Sequence, residues 1–252
     1  MIRTAIVAAM PGELKPLVRG WRHVKHNRID LWRWSYGAGE WVAACAGAGQ
    51  NAATRALAEI EKDGPVASVI SVGWAGSLHE DFQRGQAYWV SGVIDTLTGE
   101  RFRVPHFPSL RQKDDTKMGH PEIWLATSPK VADAAEKQRL AGAYKAGLVD
   151  MEAAAIARLA GMRGISFQCI KGVSDGLDDR LPDFNRFLSA EGRFQVVRFT
   201  LFALLHPGYW SALKQMGENS KKASQSIAES VLELLDPQGE IRKRNGYPDF
   251  RR

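Results

Sequence analysis

An α/β fold is what the sequence predicts, and two observations predict it. Apolar runs of strand length are continuous rather than alternating, as in strands covered on both faces. Stretches of helical periodicity separate them, with glycines at the joins. In chain order, TAIVAAM (4–10) opens, WVAACAGAG (41–49) and VASVISVGWAG (66–76) each end in glycine, QAYWVSGVID (86–95) follows, and GISFQCIKGVSD (164–175) comes late. Each is read as a strand. QNAATRALAEIEKDG (50–64) sets Ala53, Leu57 and Ile60 at helical spacing, and Asp63-Gly64 stops it. MEAAAIARLAG (151–161) is an alanine-rich helix that ends at Gly161. ALKQMGENSKKASQSIAESVLELL (212–235) carries Leu213, Met216, Ile227, Val231 and Leu234 along one stripe, the pattern of an amphipathic helix packed on the body.

The chain has 252 residues, 44% of them hydrophobic and 25% charged, which excludes a disordered or fibrous protein. With no linker or repeat visible, residues 1–193 form one expected domain and 194–252 a helical C-terminal extension. Residues 97–121 are too long and polar for a simple connector and read as a loop or insertion near a site or an oligomer contact. FQVVRFTLFALL (194–205) reads as a core helix, the alternative being a groove for an apolar side chain. Its 12 residues fall short of the roughly 20 needed to cross a bilayer. No signal-peptide pattern opens the chain, so a cytoplasmic protein without a membrane segment is expected. Five basic residues and one acid in IRKRNGYPDFRR (241–252) supply most of the net charge of +6. A solvated tail is the expected reading, with an anionic membrane or a partner as alternatives, and no basic motif with interleaved aromatics points to nucleic acid. Cys45 and Cys169 sit in apolar runs and read as reduced core residues, too few for a disulfide scaffold or a zinc ribbon. No metal or cofactor is expected.

Four places carry possible chemistry. Gly47-Ala48-Gly49-Gln50-Asn51-Ala52 has the look of a dinucleotide turn, yet no strand ending in an acid follows about 20 residues later. Gly172-Val173-Ser174-Asp175-Gly176 matches the nucleophile elbow of serine hydrolases in form, but only His206 follows it. Asp150-Met151-Glu152 opens a nearly all-alanine helix, and Met10-Pro11-Gly12-Glu13 ends the first strand. Either acid alone would suit a helix dipole. Together, Glu13, Gly73 to Gly76, Glu152 and Asp175 fall at the carboxyl ends of predicted strands, where ligands bind in open α/β sheets.

At these residues the sequence resembles the purine nucleoside phosphorylase superfamily in its hydrolytic branch, the 5'-methylthioadenosine/S-adenosylhomocysteine nucleosidases. AIVAAMPGEL, AGAGQNAA, SVGWAGSL, LVDMEAAAIA and GVSDGLDD are similar, in order, to that family's opening strand, glycine turn, glycine-rich segment, Glu-Met-Glu helix start and Ser-Asp pair. EKQRLAGAYKAGLVDMEAAA and the long C-terminal helices resemble the hopanoid-associated adenosylhopane nucleosidases. The resemblance implies a three-layer α/β/α sandwich around a mixed central sheet, a homodimer, and a small-molecule nucleoside as substrate.

It also implies roles. Asp175, kept protonated by burial, would protonate the leaving purine, and Ser174 would orient it. Glu152 would accept hydrogen bonds from the ribose hydroxyls with Met151 under the ring, and Glu13 would position or deprotonate the attacking water. Met10, Trp74, Ala75, Gly76 and Val131 would line the substrate pocket. Trp74 and Ser77 depart from the family's small residues, and Pro11-Gly12 replaces two acids. Water is expected rather than phosphate, because phosphorolysis needs clustered Arg or Lys or a glycine nest, the phosphorylases' N-terminal Gly-Asp-Pro-x-Arg type segment is absent, and Glu13 would repel a dianion. A phosphorylase, a non-catalytic nucleoside-binding protein and an esterase using Ser174 are the alternatives.

Overall fold

The computed structural model describes residues 2–36, 39–105, 122–179, 181–189, 191–236 and 239. The predicted loop or insertion at 97–121 therefore lies largely outside the described residues, and the basic tail wholly so. β1 (Ile2–Ala8) runs parallel to β4 (Gly39–Cys45) on one side and to β5 (Ser68–Ser71) on the other. β12 (Ser166–Asp175) is long enough to join two half-sheets: it runs parallel to β5 over its first half and to β6 (Trp74–Ser77) over its second. From β6 the sheet continues through β11 (Leu148–Asp150), β10 (Trp124–Thr127), β8 (Gly92–Asp95) and β9 (Arg101–Arg103), while β7 (Ala87–Trp89) pairs with β12. At the far edge β2 (Arg22–His26) and β3 (Ile29–Tyr36) form an antiparallel hairpin against β4. The sheet is mixed, as the resemblance implied.

Helices cover both faces. α2 (Gln50–Glu61) and α4 (Ala153–Arg163) lie on one, where Ala53, Leu57, Ile60 and Ile156 are fully buried or nearly so. α1 (Pro11–Leu14) and α6 (Trp210–Leu235) lie on the other, with Ile227 and Val231 buried against Ile6, Ile70 and Ile170. α3 (Ala134–Tyr144) extends that second layer by packing Leu140 on Ala126 and Val149. Their neighbours Leu125 and Leu148 face α4 instead. Successive residues thus face opposite apolar layers, which is why the strands read as continuous apolar runs. Cys45 and Cys169 are buried and free.

Several boundaries differ from the reading of the sequence. Residues 66–76 are two strands, broken at Gly73, whose φ of +144° lets the chain turn from β5 into β6. Residues 86–95 likewise divide into β7 and β8, because the first pairs with β12 and the second with β10. α4 runs past Gly161 and stops at Gly164, the residue with left-handed backbone. The β2–β3 hairpin was not foreseen; its two-residue turn uses Asn27 and Arg28, both at positive φ, without a glycine to announce it. The largest correction concerns 194–205. α5 (Val196–Leu205) is helical but has no buried residue, so it is not a core helix.

Candidate active site

The carboxyl end of β1 leads into α1 and delivers Glu13 to the sheet rim. There three backbone N–H groups converge on one carboxylate. Ala9 and Met10 donate to Oε2 at 2.8 and 2.9 Å, and Trp74 donates to Oε1 at 2.9 Å. Gly73 leaves room for this approach, since a Cβ there would lie 3.0 Å from Oε1. Burial raises the pKa of Glu13, although these amides and the charge of Lys171 work against the rise.

Glu152 sits where β11 passes into α4 and reaches across to α2. Its Oε1 accepts the Gly49 N–H at 2.7 Å, and its Oε2 accepts the Met151 N–H at 3.3 Å. Burial, then the charges of Asp150 and Glu13, outweigh Lys171 and push the Glu152 pKa up to about 7. Beneath both glutamates lies a fully buried cation. Lys171 Nζ is 2.9 Å from Asp150 Oδ2, and Asp150 is further held by Thr127 Oγ1 at 2.7 Å and the Ala153 N–H at 2.9 Å. Burial opposes the charge on Lys171, but Asp150, Cys169 and Glu152 prevail, so it holds its proton more tightly than an ordinary lysine.

Asp175 ends β12. Ser174 Oγ donates to its Oδ1 at 2.5 Å, in keeping with an orienting role. Lys137, buried on α3, pairs with Oδ2 and also donates to the Gly176 carbonyl. Gly76 clears the space between them: a Cβ there would lie 2.9 Å from Lys137 Cε and 3.1 Å from Asp175 Oδ2. Asp175 was expected to stand as a buried acid without a partner cation; the structure instead sets the Lys137 ammonium against its Oδ2 and the Ser174 hydroxyl on its Oδ1, so both carboxyl oxygens accept hydrogen bonds.

All ten residues singled out by sequence (Met10, Glu13, Trp74, Ala75, Gly76, Val131, Met151, Glu152, Ser174 and Asp175) line one cavity of about 1070 Å³. The three acids are therefore brought together. The Trp74 indole does not stand free to stack: its Nε1 donates to Ser224 Oγ at 2.8 Å and the Ser220 carbonyl at 3.0 Å, fixing the ring against α6. The Val131 N–H and carbonyl are both engaged by the Asn185 carboxamide, at 2.8 and 3.0 Å, so Val131 offers the cavity its side chain. Phe194, Phe199, Leu213 and Met216 add large apolar side chains to the lining of the same cavity. Leu213 and Met216 thus serve the cavity, whereas Ile227 and Val231 further along α6 serve the core.

Two motif readings fail on this geometry. Ser174 lies within a strand, hydrogen-bonded to Asp175 and 3.3 Å from the Ala75 carbonyl, while His206 caps α5 and is stacked on Phe202, so no triad forms around the serine. At the glycine turn, the helix-start N–H of Gly49 that would meet a phosphate is taken by Glu152. Gly47 is instead needed for contact with the 192–193 backbone, where its Cβ would meet the Gly192 carbonyl at 2.7 Å.

Sequence reasoning missed Asp150, Lys171 and Lys137 as site residues. A signal existed for Lys171, a lone cation inside the apolar strand SFQCIKGVSD, since a lysine there is buried only if it is paired. Asp150 stood in view beside Met151 and Glu152. Lys137 sits among charged residues on α3, and nothing in its spacing distinguishes it. Among the described residues no group of three or more His, Cys, Asp or Glu could hold a metal ion.

A mixed sheet between two helical layers, with acids at the strand ends lining a single cavity, defines a phosphorylase-type α/β sandwich. The chain belongs to the Phosphorylase superfamily, whose family profile matches residues 3–121 and 123–204. No curated relative matches it. Among solved structures it is similar to the Helicobacter pylori 5'-methylthioadenosine/S-adenosylhomocysteine nucleosidase with butyl-thio-DADMe-Immucillin-A, at TM-score 0.69 and 17% identity, covering 94% of this chain and 99% of that one. It is also similar to the futalosine hydrolase of Helicobacter pylori, at 0.68 and 17%, covering 94% and 98%. The Neisseria meningitidis nucleosidase with methylthio-immucillin-A gives 0.68 and 18%, covering 94% and 100%. At these identities the likeness establishes the fold.

Proposed function

We propose that the chain is a purine nucleosidase that hydrolyses the N-glycosidic bond of a 5'-modified adenosine and releases adenine. The observation that carries this reading is the convergence of Glu13, Glu152 and Asp175 on one cavity. The proton for the purine passes through Asp175 from the Lys137 ammonium paired with its Oδ2, so that the electron pair of the breaking C–N bond leaves with a neutral base. Glu152, when ionised, accepts hydrogen bonds from the ribose hydroxyls and stabilises the positive charge developing at C1', with Met151 beneath the sugar. Glu13 receives a proton from the water whose oxygen bonds to C1'. Two carboxyl groups thus act as proton donor and proton acceptor on either side of the bond, the division of labour of inverting glycosidases. Lys137 and Ser174 hold the donor in place, and Lys171 supports the two glutamates from below.

Water is favoured over phosphate by what fills the backbone donors. The N–H groups of Ala9, Met10 and Trp74 form a ready anion site, yet all three already bind the Glu13 carboxylate. A phosphate dianion there would have to displace or face that carboxylate.

The 5'-substituent in this reading is large and apolar, of the adenosylhopane type. Support comes from the cavity, whose volume of about 1070 Å³ reaches the top of the roughly 300–1,000 Å³ range for drug-sized ligands. Its lining includes the apolar side chains of Phe194, Phe199, Leu213 and Met216. The expected partner is a second copy of the chain and the expected compartment the cytoplasm, to be checked by sedimentation and by cell fractionation. The test of the substrate class is adenine release from adenosines bearing 5'-substituents of increasing apolar length. The kcat/KM should rise with length. A maximum at methylthioadenosine would reject the large substituent, and tight binding of every member without base release would mark a non-catalytic binding protein.

A further inference from the structure

Ten large hydrophobic side chains are exposed among the described residues, and six of them fall between positions 196 and 210: Val196, Val197, Leu201, Leu204, Leu205 and Trp210. Isolated exposed hydrophobics are ordinary, whereas a contiguous set marks an interaction surface. Val197, Leu201, Leu204 and Leu205 recur at i, i+4, i+7 and i+8, which places them on one face of α5. The opposite face carries Phe199 and Phe202, packed with Phe187 at ring-centroid distances of 5.3 and 5.2 Å. Phe199 also lines the reaction cavity. A single helix therefore presents an apolar wall to the cavity and an apolar stripe to solvent.

Length and charge narrow what can cover that stripe. Ten residues of helix span about 15 Å, half of the roughly 30 Å hydrocarbon core. No helix among the described residues is long and apolar enough to cross a membrane. α5 can lie in an interface but cannot traverse it. Residues 186–222 carry six Lys and Arg against two Glu, and all six cations are exposed. Arg198 is on α5 itself, Arg186 and Arg193 precede it, and Lys214, Lys221 and Lys222 follow on α6. In a symmetric contact between two copies these cations would face one another. Against anionic headgroups they attract, at about 1 kcal/mol for each cation near the surface.

We propose that the outward face of α5, with Trp210, docks on an anionic lipid surface: the leucines and valines enter the headgroup–acyl boundary and the cations meet the headgroups. Docking would set the apolar wall of the cavity beside the bilayer, so that a lipid-tailed nucleoside could enter without its tail crossing water. That last consequence rests on the nucleosidase reading; the docking does not.

The test is flotation of the full-length protein with phosphatidylcholine vesicles, with and without phosphatidylglycerol. The protein should float with the anionic vesicles, less so at high salt, and stay in solution with the neutral ones. The double substitution Leu201→Glu, Leu205→Glu touches no residue that lines the cavity, and should cut binding by roughly a hundredfold. Adenine release from a short, soluble 5'-substituted adenosine should be unchanged, which separates loss of docking from loss of the site. A milder change, Leu201→Gln, should weaken binding in the same direction and covers the case in which the double variant misfolds. Failure of wild-type protein to float overturns the proposal. So does flotation that survives both variants but disappears on removal of residues 241–252, or a double variant that converts a dimer to a monomer without any vesicle binding in the wild type.

Discussion

The two ends of the cavity are built on opposite terms. At the polar end each carboxylate meets a donor held by the fold: Glu13 has three amides, Glu152 has Gly49 and Met151, and Asp175 has Ser174 and Lys137. On the apolar side the lining comes from Phe194, α5 and the start of α6, where no residue of α5 is buried and seven of its ten are exposed. The contrast separates chemistry from selection. Reacting groups are fixed by the same strands and helix starts that make the fold, whereas the face that would sort substrates lies partly on α5, none of whose residues is buried.

Substitutions at the two ends should therefore behave differently. The largest effect belongs to Asp175→Asn, which should lower single-turnover base release by about 10²–10⁴-fold and also lower stability, since it leaves Lys137 buried without its counter-charge; Glu13→Gln should cut base release over the same range. Phe199→Ser, at the other end, should spare the hydrolysis of a short 5'-substituted adenosine and penalise only one with a long apolar group. Equal loss on both substrates would erase the distinction drawn here.

Stability tests come next. Lys171→Met leaves Asp150 buried without its partner and should cost about 3–5 kcal/mol in a denaturant titration. Gly73→Ala forces a side chain onto backbone at φ +144° and toward Glu13, for a cost of about 1–3 kcal/mol together with reduced activity. If Gly73→Ala lowered stability yet left turnover at the wild-type value, the Glu13 carboxylate would not need the position described.

The smallest effect is one of pH. Burial raises the Glu152 pKa in the folded chain from 4.5 to about 7. Its protonated form therefore stabilises the fold below pH 4.5, and that contribution is lost as pH rises through about 7. Thermal midpoints of the unliganded protein should decline over this window, and Glu152→Gln should flatten the decline. Activity should move the opposite way, kcat/KM rising through about 7 as the ribose acceptor ionises, with that limb absent in Glu152→Gln.

Most of the polar end was legible in the sequence because strand-end chemistry is local. Glu13 follows its strand by a few residues, Glu152 opens its helix, and Asp175 closes its strand, so a correct reading of the apolar runs places all three at the rim. What was not legible is what arrives from far along the chain. Lys137 meets Asp175 across 38 positions, and Gly49 meets Glu152 across 103. The apolar runs at 66–76 and 86–95 concealed changes of pairing partner, since an apolar pattern reports burial but not which neighbour is paired. The segment 194–205 misled for the same reason: its residues are as apolar as any in the core, and only the structure shows that none of Val196–Leu205 is buried among the described residues.

Hydrolysis by three converging acids can be tested in a single experiment. A 5'-substituted adenosine is incubated with wild-type enzyme in phosphate-free, ¹⁸O-enriched water, with Asp175→Asn in parallel. Wild-type enzyme should give free adenine and a sugar carrying ¹⁸O at C1', and the variant almost none of either. Release that waits for added phosphate and yields a sugar phosphate, or a variant as fast as wild type, would contradict it.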